Sequence, residues 1–264
     1  MQPTLRHWLV TLAAAIIVAA FLVWRAFDGV SEGRDAPTPT PTATASPRPT
    51  ALPSPAASPA AGAPSAPPTA AATPAPPIVS GFTFPVAGAC LPASDNLLPG
   101  APRDYRAGVH EGIDFYDGLV CAPVVVDTPV LAAKAGVVVR ADFDFVEMTP
   151  AELDELLTRS QAQGYTDEAA LDRFRGRQVW IDHGGGIVTR YAHLNGIAPG
   201  IVVGNFVAAG QQVGFVGNSG TPEGVTDPNA EIHLHFEIRV GDTYLAAGLP
   251  LDQERAVLEQ AFSP

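Results

Sequence analysis

A pair of histidines spaced two residues apart stands near the C-terminus, in an apolar segment at residues 232–238. Successive side chains of a β-strand point to opposite faces, so we expect His233 and His235 side by side on one face. The apolar residues Leu234 and Phe236 then enter the core. A single strand histidine is usually a hydrogen-bonded structural residue. Two on one face can instead bind a metal ion together, provided that other segments supply further ligands.

A second candidate for metal chemistry lies at residues 108–115. On an extended segment His110, Gly112 and Asp114 share one face, and the glycine leaves room between the imidazole and the carboxylate. Two histidines and one carboxylate form a catalytic zinc set, because three protein ligands leave a fourth position for water. On spacing alone, a simple hydrogen bond between His110 and Asp114 explains the pattern equally well. The helical H-E-x-x-H motif is absent.

A fourth histidine, His193, ends a predicted strand in the segment Tyr-Ala-His-Leu at 191–194. Together with His110-x3-Asp114, the segment Val-Gly-Asn-Ser-Gly at 216–220 and the His-Leu-His-Phe-Glu segment at 233–237, it resembles the motifs of the LytM/lysostaphin-type zinc endopeptidases of bacterial cell walls. Each motif alone is weak, whereas the four in this order are specific. The resemblance covers about residues 105–240.

The resemblance implies that His110, Asp114 and His235 bind one Zn²⁺ ion. It implies that His193 and His233 orient the attacking water, stabilise the developing oxyanion and transfer protons. The implied substrates are the peptide bridges of peptidoglycan, bound in an extended conformation. The alternative is a non-catalytic module of the same fold that binds the cell wall or activates a hydrolase.

The elements that must position these residues are mostly β-strands, because short runs rich in Val, Ile and aromatic residues are bounded by Gly, Pro or Asn. We predict strands at 130–141, 178–183, 186–193, 206–208, 212–216 and 232–240. Their spacing indicates a mainly β fold, a bent antiparallel sheet or sandwich. The triple glycine at 184–186 predicts a hairpin turn, and Asn195-Gly196 predicts another. His183, beside the first turn, is expected to be structural.

One short helical insertion interrupts the β pattern at residues 149–175. Thr149 and Glu152 form a capping box around Pro150, and Thr166 is the candidate cap of a second helix. A closing helix is predicted at 251–262. The insertion and the long loop at 221–231 depart from the compact family pattern. Both are expected to border the substrate groove, or the insertion serves autoinhibition or the docking of a regulatory protein partner.

The chain divides into three regions. Residues 1–25 contain an apolar run at 8–24, which we interpret as an uncleaved signal anchor that spans the membrane. A cleaved signal peptide, which would release the protein, is the competing interpretation. We predict that the Pro-, Ala- and Thr-rich residues 26–77 form a disordered linker. We expect residues 78–264 to form the zinc metallopeptidase domain, which the anchor would hold in the bacterial cell envelope outside the cytoplasm.

The charge and the cysteine content of the domain argue against two kinds of site, one for nucleic acid and one for zinc bound by four cysteines. From residue 78 onward it has 11 Lys and Arg residues against 24 Asp and Glu residues, so repulsion from phosphates argues against nucleic acid as a partner. The only two cysteines, Cys90 and Cys121, are too few for a four-cysteine zinc site. In an exported protein they are expected to form one disulfide, and two separate buried thiols are the alternative.

Overall fold

The computed structural model describes residues 79–264, which form twelve β-strands and three α-helices. The strands are β1 (Pro102–Arg103), β2 (Gly108–Val109), β3 (Ile113–Tyr116), β4 (Pro129–Leu131), β5 (Gly136–Ala141), β6 (Val179–Asp182), β7 (Ile187–Ala192), β8 (Leu194–Ile197), β9 (Phe206–Val207), β10 (Gln212–Val216), β11 (His233–Val240) and β12 (Thr243–Tyr244). The helices are α1 (Pro150–Gln163), α2 (Glu168–Arg175) and α3 (Leu251–Ala261). The predicted mainly β, antiparallel class is confirmed for this part of the chain.

Strand β11 is the longest strand of the larger sheet, in which the order is β12-β11-β7-β6-β5-β9 and β3 also pairs with β11. All of these pairings are antiparallel. The apolar side chains Leu234 and Phe236 are fully buried in the main core, as the alternation of β11 predicts. His233 and His235 therefore occupy the opposite face of the same strand.

A second sheet, in the order β4-β10-β8, meets the larger sheet at His193. This residue lies in a bend between β7 and β8 and has φ +59, a left-handed conformation. The predicted turn at Asn195-Gly196 is wrong, because both residues lie within β8, where Gly196 pairs with Phe215. The predicted single strand at 130–141 is also wrong. It divides into β4 and β5, which belong to different sheets.

The insertion forms a helical hairpin, α1 and α2 with the turn between them. The Thr149 hydroxyl accepts a hydrogen bond from the backbone N–H of Glu152 and caps α1, as the sequence predicts. The predicted cap of α2 is wrong by one residue. The Asp167 carboxylate accepts from the Ala170 N–H, whereas the Thr166 hydroxyl donates to a carbonyl outside the hairpin.

A disulfide and the C-terminal helix complete the described fold. Cys90 and Cys121 are joined by a disulfide, with their Cα atoms 5.5 Å apart. Helix α3 packs Leu258 and Ala261 into the main core. Within residues 79–264, no helix has the length and apolar character that a membrane span requires. The predicted anchor at 1–25 and linker at 26–77 lie outside the described residues.

Candidate metal centre and acid–base histidines

The antiparallel pairing of β3 with β11 places Asp114 directly opposite His235. His235 Nδ1 lies 2.9 Å from Asp114 Oδ1. His110, just before β3, completes the group: its Nε2 lies 2.9 Å from the same Asp114 oxygen and 3.0 Å from His235 Nδ1. Three donor atoms from two segments far apart in sequence therefore form a nearly equilateral triangle, and all three side chains are buried.

The other ring nitrogen of each of these two histidines has a hydrogen-bond acceptor. His110 Nδ1 donates to the Leu98 carbonyl oxygen at 2.9 Å. His235 Nε2 donates to Glu237 Oε1 at 3.2 Å. These acceptors fix the tautomers that leave His110 Nε2 and His235 Nδ1 with free lone pairs toward the triangle. Hydrogen bonding of this kind orients metal-ligating histidines in proteins.

The three donors fit Zn²⁺ in type and spacing. Zinc binds histidine nitrogen and carboxylate oxygen at about 2.0–2.2 Å, which requires donor separations of about 3.3 Å in a tetrahedron. The observed separations of 2.9–3.0 Å need only a small expansion. Gly112 is required for this convergence, because a Cβ at that position would lie 2.5 Å from the Phe236 carbonyl oxygen and 2.9 Å from the His235 ring.

Two further histidines lie beside the triangle. The ring centroid of His193 is 4.7 Å from that of His233 and 5.5 Å from that of His235. His193 Nδ1 donates to the Ser219 carbonyl oxygen at 2.8 Å, and His233 Nδ1 donates to the Glu231 carbonyl oxygen at 2.7 Å. In both rings Nε2 is therefore the nitrogen that is free to exchange protons.

Desolvation keeps most of these imidazoles neutral. Burial lowers the pKa of His110 to about 4 and also lowers the pKa of His233. The pKa of His193 is held well below its usual value by burial and then by the neighbouring His233 and His235. Burial also opposes protonation of His235, but hydrogen bonds to carboxylates, Asp114 first, raise its pKa above the usual value. Neutral rings are the forms that ligate metals and accept protons.

All five predicted site residues line one open cleft of about 550 Å³. Tyr116 stacks on His233 within it, with the ring centroids 4.3 Å apart. Apolar side chains of the helical hairpin, Leu157, Leu171 and Phe174, form part of the lining. Glu223 and Glu231 of the 221–231 loop also line the cleft. The two departures from the compact family pattern thus both border the site.

Three charged residues support the centre and were not assigned by the sequence. Arg103 donates to Asp114 Oδ2 at 3.1 Å and so holds the oxygen that faces away from the triangle. Glu237 holds His235, and Arg175 donates to Glu237 at 2.6 Å. Glu237 had a detectable signal, because it stands two residues after His235 on the same strand face. The arginines had none, since no local pattern links them to the ligands.

Comparison with protein families finds one matching family. Residues 157–247 match the profile described as peptidase family M23, a range that includes His193, His233 and His235. This part of the chain is a peptidase family M23 domain. The resemblance drawn from the four motifs is confirmed at the level of the family. His110 and Asp114 precede the matched range, and the structure brings them to it through the pairing of β3 with β11.

Curated relatives of this chain include two endopeptidases. An L-Ala–D-Glu endopeptidase of Bacillus subtilis (strain 168) is 35% identical over 81 residues, which are 31% of this chain and 25% of the relative. The peptidoglycan DD-endopeptidase ShyA of Vibrio cholerae serotype O1 is 28% identical over 162 residues, 61% of this chain and 26% of the relative. The chain therefore spans about a quarter of the length of each.

Among solved structures, a zinc-containing peptidase from Vibrio cholerae superposes with a TM-score of 0.38 and 23% identity. The alignment covers 64% of this chain and 40% of that chain.

Proposed function

We propose that the chain is a zinc-dependent endopeptidase that hydrolyses peptide cross-links or bridges of peptidoglycan. The triangle of His110 Nε2, Asp114 Oδ1 and His235 Nδ1 is the observation that carries the proposal. A metal-binding module has no need of two further neutral imidazoles next to its ligands. His193 and His233 occupy that position here, which favours an enzyme over the non-catalytic alternative.

His110, Asp114 and His235 would hold the ion. When bound, zinc would activate a water molecule and polarise the scissile carbonyl. Two neutral imidazoles and one carboxylate leave a net positive charge at the site, which suits both tasks. Burial raises the pKa of the Asp114 carboxyl, but the neighbouring histidines, His110 first, outweigh burial and hold that pKa well below its usual value, so the carboxylate stays ionised. Arg103 donates a hydrogen bond to its Oδ2.

His193 and His233 supply the acid–base chemistry. Their Nδ1 atoms are engaged by backbone carbonyls, so each ring presents Nε2 in a fixed orientation. Together the two rings orient the attacking water, accept its proton and donate a proton to the leaving amine. Tyr116 keeps the His233 ring in place by stacking on it. Removal of either imidazole would therefore reduce turnover without removing a metal ligand.

The substrate class follows from the family and from the shape of the cleft. The two curated relatives are named for different bonds, L-Ala–D-Glu and DD. An open cleft bordered by strands suits an extended peptide, whose backbone can hydrogen-bond at strand edges. The helical hairpin and the 221–231 loop border this cleft and would select among cross-bridges.

The location of the enzyme is a further part of the proposal. An N-terminal anchor at 1–25 and a flexible linker at 26–77 would tether the catalytic domain to the membrane and let it reach the wall. The disulfide between Cys90 and Cys121 is compatible with an oxidising compartment outside the cytoplasm.

The test is digestion of isolated peptidoglycans that differ in cross-bridge chemistry, using the zinc-loaded full chain and mass analysis of the products. We expect new amine and carboxyl ends at one type of peptide bond, and no products from a His235→Ala variant. Zinc binding without cleavage of any of these peptidoglycans would overturn the enzyme assignment and favour the non-catalytic module.

A further inference from the structure

The last residue of α2 reaches the proposed zinc site from the helical hairpin. Arg175 is almost completely buried, and its Nε donates to Glu237 Oε1 at 2.6 Å. The same carboxylate oxygen accepts the hydrogen bond from His235 Nε2 at 3.2 Å. A single oxygen atom therefore joins the arginine of the insertion to a proposed metal ligand.

The two oxygens of Glu237 have different partners. Arg190 and Arg239 contact Oε2, at 3.4 Å and 3.3 Å, whereas among the described arginines only Arg175 contacts Oε1. Glu237 is fully buried, so its position depends on these ionic hydrogen bonds rather than on water. Arg175 consequently sets the position of the oxygen that orients His235.

The hairpin that carries Arg175 has a small core of its own. Its buried members are Met148, Leu156, Ala170 and Phe174, and Val225 of the 221–231 loop packs against them. This cluster is separate from the main core of the two sheets. The hairpin and the loop therefore pack against each other as one unit.

The same unit contacts the backbone that holds His193. The His193 N–H donates to the Arg175 carbonyl oxygen at 2.9 Å. Gly176, with φ +67, packs directly against Ser219, whose carbonyl oxygen accepts from His193 Nδ1. A side chain at position 176 would collide with that carbonyl. The end of α2 thus contacts both sides of the site, the metal side through Glu237 and the acid–base side through Ser219.

We propose that Arg175 is a positioning residue for the zinc site and that docking of the helical hairpin is thereby coupled to metal binding. The inference rests on the proposed zinc ligands and adds the hairpin to them. Arg175 acts through Glu237, which keeps His235 Nε2 protonated and its Nδ1 free for the ion. Loss of a group that hydrogen-bonds directly to a metal ligand, as Glu237 does to His235, changes metal affinity by about 10–100-fold. Arg175 acts one contact further out, so its removal is expected to have an effect at the lower end of this range.

The experiment compares Arg175→Met with the wild-type full chain by zinc competition against a chromophoric chelator and by the absorption spectrum of the Co²⁺-substituted protein. We expect about tenfold weaker zinc binding and an altered Co²⁺ spectrum, because the orientation of His235 changes. Arg173→Met is the matched control. Arg173 lies on the same helix, but its ion pair is with Glu152 inside the hairpin, so we expect zinc affinity within about twofold of wild type.

Thermal unfolding of each variant separates positioning from folding. A folded Arg175→Met protein with wild-type zinc affinity and an unchanged Co²⁺ spectrum would overturn the inference while leaving the zinc site itself intact. If Arg175→Met does not fold, Arg175→Lys decides the matter. It keeps a cation near Glu237 but loses the planar fork, so intermediate zinc affinity supports positioning and wild-type affinity refutes it. Absence of zinc binding by the wild type would instead refute the proposed function.

Discussion

A methyl group added at Gly112 would have no room between the segments that carry the proposed zinc ligands. The new Cβ would lie 2.5 Å from the Phe236 carbonyl oxygen, which belongs to the backbone of β11 and cannot rotate away. It would also lie 2.9 Å from the His235 ring. For Gly112→Ala we therefore expect the segment before β3 to move away from β11, which separates His110 from His235.

Overpacking of this kind costs about 1–3 kcal/mol of unfolding free energy. For a domain of this size it corresponds to a decrease in melting temperature of about 2–12 °C. Zinc affinity should fall at least about tenfold, because one ligand ring is displaced directly. Melting is measured on the metal-free protein, so that the loss of zinc binding does not contribute to the shift. Chelator competition then gives the affinity.

Gly196→Ala is the matched control for this prediction. Gly196 lies within β8, and its added Cβ would meet only the Phe215 side chain, at an ordinary contact distance of 3.6 Å. We expect its melting temperature and zinc affinity to stay near the wild-type values. If Gly112→Ala behaved like this control, the close packing of β3 and β11 at the proposed metal site would be refuted.

Three other perturbations have clear expected results. His193→Ala should keep the metal and lose about two orders of magnitude or more in turnover on peptidoglycan, and full activity would remove His193 from the mechanism. Replacing Cys90 and Cys121 by serine should lower the unfolding free energy by about 2–4 kcal/mol, because their disulfide closes a loop of sequence separation 31. Denaturant titration measures this change, and an unchanged unfolding midpoint would contradict the prediction. Burial lowers the pKa of His183 below 6.5, so in acid the unfolded chain binds a proton there before the folded chain does and stability falls as pH decreases. His183→Gln should make that decrease between about pH 7 and 5 shallower, and an identical pH dependence would exclude the effect.

The strand and the turn that carry the site could be anticipated from sequence because each has a local signal, whereas the set of ligands came from the family resemblance. The alternation around His233 and His235 predicts a strand with two imidazoles on one face, and β11 has that form. The triple glycine predicts the turn between β6 and β7, and all three glycines there have positive φ. These signals depend on neighbouring residues alone, so they do not require knowledge of the tertiary fold.

Competing local signals explain why the predicted cap of α2 and the predicted turn at Asn195-Gly196 were wrong. Thr166 and Asp167 can both cap a helix, and the Thr166 hydroxyl is instead engaged by the Arg106 carbonyl, a contact between distant segments. Asn195-Gly196 is typical of a turn, yet both residues lie in β8 and the bend comes earlier, at His193, where no sequence rule predicts a left-handed histidine. A left-handed conformation outside glycine is sterically unfavourable, and such residues concentrate at functional sites.

The ion pairs that hold the proposed ligands could not be predicted from the sequence, for a different reason. Arg175 and Glu237 are 62 residues apart, and which of the nearby arginines reaches which carboxylate oxygen depends on the docking of the hairpin. Arg103 likewise reaches Asp114 only because β1 and β2 fold back beside the site. Long-range side-chain pairs of this kind follow from the packed structure and leave no periodic pattern in the chain.

Zinc stoichiometry of the full chain tests the proposed centre most directly. The protein is dialysed against a low concentration of free zinc, and its metal content is measured by mass spectrometry for wild type, His110→Ala, His235→Ala and the control His183→Ala. His183 is a suitable control because its ring is hydrogen-bonded to Ala135 and Thr189, away from the proposed ligands. We predict one zinc ion per chain for wild type and for His183→Ala and none for the two ligand variants. A metal-free wild-type protein, or ligand variants that retain one zinc per chain, would contradict the proposed centre.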